Sequence, residues 1–472
     1  MVLLFIIPDA HAPGKLAGSI TVGYTSAMES VTRTDTIAAL ATPPGRGGIA
    51  IVRVSGPDAE GMMRWFFKPA GKTQALESHR LMYGTIHDDA GAVDDCMAVL
   101  MRAPRSYTRE DVAEFHLHGG EYVAQRMLRA LWAAGVRPAE AGEFTQRAFL
   151  NGRLDLSRAE AVMQLISATG QRAHQAALRD LRGGASAFVL EAQRQLVGIL
   201  AGVAAALDYP EEVEEEEAVA DLLPRIRSLA DTLRAACDER AARWLETGME
   251  VAIAGRPNVG KSSLLNLLLG EERAIVTEEA GTTRDIVRGT AQIGGLRVNF
   301  SDTAGIRDSD QQVERIGIQR ARAAMEAADL VLLVLDQALP MSAEDGALLR
   351  SLQGRPHLVV LNKSDLPAQA GLPQGLLISA RTGEGVAALR QAIAEHAGQP
   401  DEGGLHAARH MRLAADAARS LDDAAGAMNA GDPLDLCAVH LSEALRTLGQ
   451  ITGDEVTEEL LDQVFSTFCV GK

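Results

Sequence analysis

The segment Gly255-Arg256-Pro257-Asn258-Val259-Gly260-Lys261-Ser262 constrains the fold of this chain more than any other stretch. It fits the pattern G-x-x-x-x-G-K-[ST], and it stands between an apolar strand-like run at residues 249–254 and a helical run at 263–269. Glycines at its two ends let backbone N–H groups turn inward around phosphate oxygens, and the N-terminus of the following helix adds positive potential. Lys261 is expected to reach the β- and γ-phosphates, and the Ser262 hydroxyl to hold Mg²⁺. Short apolar runs at 296–301, 330–335, 358–361 and 376–378 alternate with helical stretches around it. That alternation predicts a parallel sheet covered by helices over residues 248–398.

Two further motifs say which nucleotide. Asp302-Thr303-Ala304-Gly305 follows a strand-like run, where a second magnesium-side motif belongs. Asn362-Lys363-Ser364-Asp365 ends another, and a carboxylate there can accept from both the N1–H and the 2-amino group of guanine. Adenine offers no such pair. Ser379-Ala380-Arg381 follows the last strand-like run and would back the base. Asn-Lys-x-Asp alone is often no more than a turn. In this order, with the two other motifs, it reads as guanine recognition, and the expected activity is GTP hydrolysis.

Gly281-Thr282-Thr283-Arg284-Asp285 stands where a switch segment would close over the γ-phosphate, with Thr283 the candidate second Mg²⁺ ligand. Many regulatory GTPases place a water-orienting Gln after the Asp-x-x-Gly motif. Here that position holds Ile306, which cannot orient water. The nearest downstream acid past the switch is Glu314. Taken alone, it also reads as a helix-surface acid in Val313-Glu314-Arg315-Ile316.

Outside this cassette the texture differs. Residues 36–40, 42–48 and 49–54 read as strand, turn and strand, and mixed signals continue to Leu150, so residues 31–150 are expected to form an α+β domain. Residues 151–247 and 399–472 read as helical. Ser157-Arg158-Ala159-Glu160 fits a capping box, with Ser157 as N-cap. Val456, Leu460, Leu461, Val464, Phe465 and Phe468 recur at helical spacing. The glutamate run at 211–217 reads as a solvated acidic face or loop. Helical segments on both sides of an α/β cassette indicate an insertion, which a bundle tolerates when the inserted domain has neighbouring termini. The expected fold class is multidomain α/β plus α: an N-terminal α+β domain, a discontinuous helical domain and an inserted Ras-like P-loop GTPase domain. Residues 1–30 show no period and read as an extension, either disordered or a misassigned start.

Composition excludes several classes. With 46 Lys and Arg against 63 Asp and Glu, the net charge of −17 rules out a uniformly basic nucleic-acid coat. Residues 31–160 carry 16 basic and 16 acidic side chains, so any contact with RNA must use a local patch. Cys96, Cys237, Cys437 and Cys469 stand far apart, which argues for a reducing compartment and against zinc or a disulfide framework. The apolar run at residues 1–7 is too short to span a bilayer and lacks a basic flank, and no other stretch is expected to reach transmembrane length. A soluble cytoplasmic protein with no membrane partner is expected. His116 and His118 point one way along a strand-like stretch, but no third ligand stands at useful spacing, so no metal is expected there.

With these motifs in place, the chain resembles the MnmE (TrmE) family of tRNA-modification GTPases from about Thr34 to its last residue. The resemblance rests on Ala41-Thr42-Pro43-Pro44-Gly45-Arg46-Gly47-Gly48, His118-Gly119-Gly120, Gly142-Glu143-Phe144, Arg153-Leu154-Asp155-Leu156, the 281–285 switch and the terminal Phe468-Cys469-Val470-Gly471-Lys472. GTPase motifs alone would not separate it from ribosome-assembly GTPases. The two ends of the chain do.

The resemblance implies a homodimer with a folate-binding N-terminal domain. With an FAD-dependent partner, MnmG (GidA), in a heterotetramer, the family adds an aminomethyl or carboxymethylaminomethyl group at C5 of the wobble uridine of certain tRNAs, using a tetrahydrofolate one-carbon unit. It implies a GTP site built from Asn258, Val259, Gly260, Lys261, Ser262 and Ser263, from Thr277, Glu278, Glu279, Ala280, Gly281, Thr282 and Thr283, and from the Asp302–Gly305, Asn362, Lys363, Asp365 and Ser379, Ala380, Arg381 motifs. Asn258, Thr277, Glu279 and Thr282 would hold K⁺ in place of an arginine finger, and Glu314 would position the attacking water. Folate would fall on Arg53, Glu114 and Arg153, with Lys472 nearby, since a carboxylate suits paired ring N–H donors and basic groups suit a glutamate tail. Cys469 would take part in the modification. Without the resemblance, Arg53 reads as a sheet-edge residue and Cys469 as a small apolar residue packing a helix end. The rival reading is a GTP-dependent RNA or ribosome assembly switch with no modification chemistry, which would have no use for a one-carbon donor.

Overall fold

The computed structural model describes residues 35–71, 75–212, 214–270, 288–302, 322–398 and 404–472. Two compact units divide it: Met1–Glu140 with Gly471, and Ala141–Val470 with Lys472.

The first unit is built on one sheet of seven strands: β1 (Ile37–Leu40), β2 (Ile49–Ser55), β3 (Phe67–Pro69), β4 (Met82–Asp88), β5 (Gly91–Met101), β6 (Val112–His118) and β7 (Arg137–Pro138). Their order is β3-β4-β5-β6-β2-β1-β7. Neighbours run antiparallel except β1 and β7. Alternation along β2 and β6 sorts the side chains between two faces. Ala50, Val52, Val54, Phe115 and Leu117 are buried with Met63, Met127 and Leu131 of the helices Ala59–Phe66 and Glu121–Ala133. The alternation leaves Ile51, Arg53, Glu114 and His116 on the other face, with Arg53 opposite Glu114 and Ile51 opposite His116. Gly47 N donates to Gly119 O at 3.0 Å, which closes the loop before β2 onto the turn after β6. A Cβ on Gly119 would lie 2.2 Å from Gly47 O, so only glycine fits there.

The second unit opens with the helices Glu143–Leu150, Leu156–Ser167, Gln171–Leu181, Gly184–Asp208, Glu215–Ala235 and Glu239–Thr247. A six-stranded sheet follows: β8 (Met249–Ala254), β9 (Arg288–Ile293), β10 (Leu296–Asp302), β11 (Leu330–Asp336), β12 (His357–Asn362) and β13 (Leu376–Leu377), in the order β13-β12-β11-β8-β10-β9. Only the β9–β10 pair is antiparallel. The helices Ala408–Ala430, Leu434–Thr452 and Glu458–Phe465 come last. Leu196, Ile199 and Leu229 from before the sheet share one core with Leu421, Leu441 and Leu448 from after it. The helical part is therefore one body made of two sequence stretches. Leu405 N donates to Ala236 O at 2.9 Å, so the chain enters and leaves the cassette at neighbouring points. The architecture is multidomain α/β plus α.

Several local expectations need correction. Asp155, not Ser157, caps the helix Leu156–Ser167: Asp155 Oδ1 accepts from Arg158 N at 2.9 Å and from Ser157 Oγ at 2.7 Å. Glu160 leaves the capping box because it turns to the second helical stretch, where it takes Arg409 Nε and Nη2 at 2.7 Å each and His410 Nε2 at 2.5 Å. Burial opposes the Glu160 charge, but Arg409 and His410 outweigh it and hold its carboxyl at about 2. The glutamate run needs no such correction: Glu215, Glu216 and Glu217 are exposed, as expected of a solvated acidic face, and occupy the first turn of the helix Glu215–Ala235, where negative charge complements the helix dipole. The last helix starts only after Thr457, its N-cap, and Phe468 lies beyond its end, yet Leu461, Val464, Phe465 and Phe468 still pack together. Among the described residues one helix, Gly184–Asp208, is long and apolar enough to cross a membrane, against the expectation that no such stretch reaches that length. Its Val189, Leu196, Ile199 and Val203 lie in the helical core.

Candidate functional site

The loop between β8 and the helix Lys261–Gly270 passes through left-handed backbone at Asn258 (φ 65°) and Gly260 (φ 100°). Asn tolerates that region better than most residues. Gly260 is obligatory, because a Cβ there would lie 2.2 Å from Asn362 Nδ2. Asn362, the last residue of β12, donates Nδ2 to Val259 O at 2.7 Å, and its Oδ1 accepts from Ala380 N at 2.9 Å. One buried amide thus ties the phosphate loop to the loop after β13. Lys261 is buried, and its Nζ donates to Gly255 O and Arg256 O at 2.7 Å each. Burial pushes its pKa down against the attraction of Asp302. An ammonium so short of hydration gains from anionic oxygens brought beside it.

Ser262 Oγ donates to Asp302 Oδ2 at 2.8 Å, across the start of the helix and the end of β10. A hydroxyl and a carboxylate side by side are hard oxygen donors of the kind Mg²⁺ takes, so these residues fit that ion. At the other end of the site, Lys363 sits at φ 67° with its Nζ 2.5 Å from Asp336 Oδ2. Asp365 Oδ1 accepts from Ser379 Oγ at 2.6 Å, and its Oδ2 lies 2.9 Å from Arg381 Nη2. The Ser379 hydroxyl first, then the charges of Arg381 and Lys363, hold the Asp365 carboxyl below its usual range. It is an ionised acceptor fixed in place.

In the first unit, Arg53 Nε donates to Glu114 Oε1 at 2.8 Å and Nη1 to Gly471 O at 3.2 Å, with the guanidinium 5.5 Å from the centre of the Tyr107 ring. His116 Nε2 is 3.3 Å from Glu114 Oε2. Burial works against the Glu114 charge, but His116 and Arg53 outweigh it and keep the carboxyl below the ordinary range. Among the described residues each Glu114 oxygen has one donor, Arg53 Nε on Oε1 and His116 Nε2 on Oε2, and a carboxylate oxygen has room for a second.

Residues 36–153 match the family model described as the GTP-binding protein TrmE N-terminus, and residues 156–469 match that of the MnmE helical domain. The tRNA modification GTPase MnmE of Synechococcus sp. (strain RCC307) is 47% identical over 456 residues, covering 94% of this chain and 100% of that protein. That of Lactiplantibacillus plantarum is 42% identical over 464 residues, with 94% and 100% covered. The chain belongs to the MnmE family of tRNA modification GTPases. GTP hydrolysis and a role in tRNA modification hold at the level of the family name. Among solved structures, the G domain of the T. maritima FeoB iron transporter is 30% identical, with 32% of this chain and 98% of that chain covered and a TM-score of 0.24.

The residues singled out from sequence fall into three groups. Asn258–Ser263, Asp302, Asn362, Lys363, Asp365 and Ser379–Arg381 stand around the C-terminal ends of β8, β10, β12 and β13, where open α/β sheets bind ligands. Thr277, Glu278, Glu279, Ala280, Gly281, Thr282, Thr283, Thr303, Ala304, Gly305, Ile306 and Glu314 lie outside the described residues. Arg53 and Glu114 meet in the first unit, whereas Arg153, Cys469 and Lys472 belong to the second. There Arg153 is exposed just past the helix Glu143–Leu150, and its N donates to Ala148 O at 2.8 Å. Cys469 is exposed, and its carbonyl accepts from Lys472 N at 3.3 Å.

Sequence reading missed Asp336, which holds Lys363, and Tyr107, which lies under Arg53. An acid ending the apolar run of β11 was a usable signal for the first. Tyr107 sits in an irregular loop and carried none.

Proposed function

We propose that this protein is a potassium-dependent GTPase that, with an FAD-dependent partner of the MnmG (GidA) type, adds an aminomethyl or carboxymethylaminomethyl group at C5 of the wobble uridine of certain tRNAs. The observation that carries the reading is the Asn362 bridge. It fixes the phosphate loop and the base-side loop in one arrangement, within a chain that matches MnmE proteins over nearly its whole length.

Lys261 and the loop amides bind the phosphates, and Asp365 reads guanine. Ser262 and Thr283 hold Mg²⁺, which supplies charge neutralisation at the β- and γ-phosphates. Asn258, with Thr277, Glu279 and Thr282, holds K⁺, and Glu314 orients the attacking water. Arg53, Glu114, Arg153 and Lys472 bind a tetrahydrofolate derivative, and Cys469 serves the modification. The working form is a cytoplasmic homodimer that binds tRNA and joins its partner in a heterotetramer.

Mass spectrometry of wobble uridines tests the proposal. tRNA from cells lacking the gene should lose the C5 substituent, wild type should restore it, and Lys261→Ala should not. An intact substituent without the gene would hand the chain to the rival reading, an RNA or ribosome assembly switch.

A further inference from the structure

Arg172 belongs to the helix Gln171–Leu181, yet its side chain serves the nucleotide cassette. Nε donates to Gly294 O at 2.7 Å and Nη1 to Gly398 O at 2.9 Å, while the backbone N donates to Gly295 O at 2.8 Å. Gly294 and Gly295 form the turn between β9 and β10, and Gly398 lies just past the helix Val386–His396. Gln292 in β9 donates back to Thr169 O, just before the helix that carries Arg172. The start of one helix is thus joined to the tip of one hairpin, and the same guanidinium holds the point where the cassette ends.

β10 runs from that turn to Asp302 over seven residues, roughly 20 Å at the usual rise of an extended strand. It is hydrogen-bonded along its length, to β8 on one side and β9 on the other. Packed elements of this kind shift as units rather than stretch. One end of β10 is in the grip of Arg172, and the other end is Asp302, which takes the Ser262 hydroxyl at the magnesium side of the phosphate loop.

We infer that Arg172 is a positioning residue that couples Asp302 to the helix Gln171–Leu181 through β10. Occupancy of the nucleotide site biases that helix, and the helix biases the site in return, since coupling between two positions is reciprocal. The two-pronged contact matters. A guanidinium presents donors in a fixed fork, whereas a lysine ammonium is a point charge on a flexible stem and cannot hold Gly294 and Gly398 in the same way. This inference rests on the GTP-binding part of the proposed function and on nothing concerning folate, potassium or tRNA.

Amide hydrogen exchange on the full chain, with GDP and with a non-hydrolysable GTP analogue, tests it. In wild type, amides of residues 171–182 should exchange at rates that differ between the two nucleotides by about threefold or more, as for a local opening equilibrium biased by a ligand. Arg172→Ala should abolish that difference while the phosphate-loop amides keep their nucleotide-dependent protection, and Arg172→Lys should lose most of it despite the retained charge. Should Arg172→Ala not fold, Arg172→Lys and Gln292→Ala carry the comparison. A wild-type-sized difference in the variants, or no difference in wild type, would overturn the inference. No protection of phosphate-loop amides by any nucleotide would instead remove the GTP site itself, and the inference with it.

Discussion

Asn362 and Val259 stand 103 positions apart and are joined by one buried hydrogen bond, Nδ2 to carbonyl oxygen at 2.7 Å. The same amide holds Ala380 N through its Oδ1. The motif that announces base recognition therefore spends its asparagine on architecture, shaping the phosphate loop from the base side of the site. Removing the side chain leaves one buried acceptor and one backbone donor without their partner.

Asn362→Ala should weaken binding of both GDP and GTP. An orphaned buried group costs about 1–3 kcal/mol, and each 1.4 kcal/mol is tenfold in affinity, so a loss of roughly 5- to 100-fold is expected. Titration with a fluorescent nucleotide measures it directly. Unchanged affinity would mean that the loop holds its shape without the bridge.

Asp365→Asn should shift base preference from guanine towards xanthine. The carboxylate accepts from N1–H and the 2-amino group, while a carboxamide can donate to the 2-oxo group of xanthine. Ser379 and Arg381 already hold this side chain in position, so the exchange alters its donors and acceptors with little change of place. Competition of GTP and XTP for the site reads out the preference, and a variant that still prefers GTP rules the assignment out.

Turnover should be faster in KCl than in NaCl at equal ionic strength. Asn258 presents its side chain from a left-handed turn of the phosphate loop, and the position after the Asp-x-x-Gly motif holds Ile306 in place of a water-orienting glutamine. Asn258→Ala should erase the difference between the salts. Equal rates for wild type in the two salts remove potassium from the proposal.

The legible part of this molecule is the part written in local periods. Apolar runs marked β8, β10, β11 and β12, and helical texture on both sides of them disclosed one helical body interrupted by a cassette. What stayed hidden depends on register or on distance along the chain. Arg53 meets Glu114 only because β2 pairs with β6 in one register, and a slip of one residue in that pairing would put the two side chains on opposite faces. Ser157 and Glu160 offered a capping signature, but Asp155 takes the cap by accepting from Arg158 N, and the partners of Glu160 lie 249 and 250 positions away. Local rules choose between competing caps poorly, because the losing side chain is recruited by tertiary contacts that no short window contains.

That recruitment has a pH signature. The Glu160 carboxyl is held at about 2, below its ordinary 4.5, so its folded form binds protons less readily than its unfolded form. The stability it contributes is present above about 4.5 and is lost as pH falls towards about 2. Glu160→Gln should be less stable than wild type at neutral pH by about 3–5 kcal/mol, the scale for leaving a buried cation without its counter-charge. Urea unfolding across that pH range should show the gap between the two proteins closing. A gap that stays constant would mean that the charge of Glu160 is not what binds the two helical stretches.

The Arg53–Glu114 pair yields the test of the one-carbon side of the proposal. Glu114 keeps its charge in a buried setting because His116 and Arg53 support it, and each of its oxygens has room for a further N–H. Glu114→Ala would remove that acceptor and also strand the Arg53 guanidinium, so a loss of folate binding in that variant alone does not distinguish a lost acceptor from local collapse. Glu114→Gln separates the two causes. It preserves size and one acceptor for Arg53, but it replaces an ionised oxygen by an NH₂ group that cannot accept from a pterin-type ring. Calorimetry with 5-formyltetrahydrofolate should show binding to wild type and a loss of tenfold or more for Glu114→Gln, about the 1.5–3 kcal/mol of a hydrogen bond to a charged group. GTP turnover should stay within about twofold in both variants, since additivity holds for sites without shared partners. Equal folate affinity in wild type and Glu114→Gln, or no binding to wild type, would take the folate out of this domain and leave the ion pair a purely structural cross-link between β2 and β6.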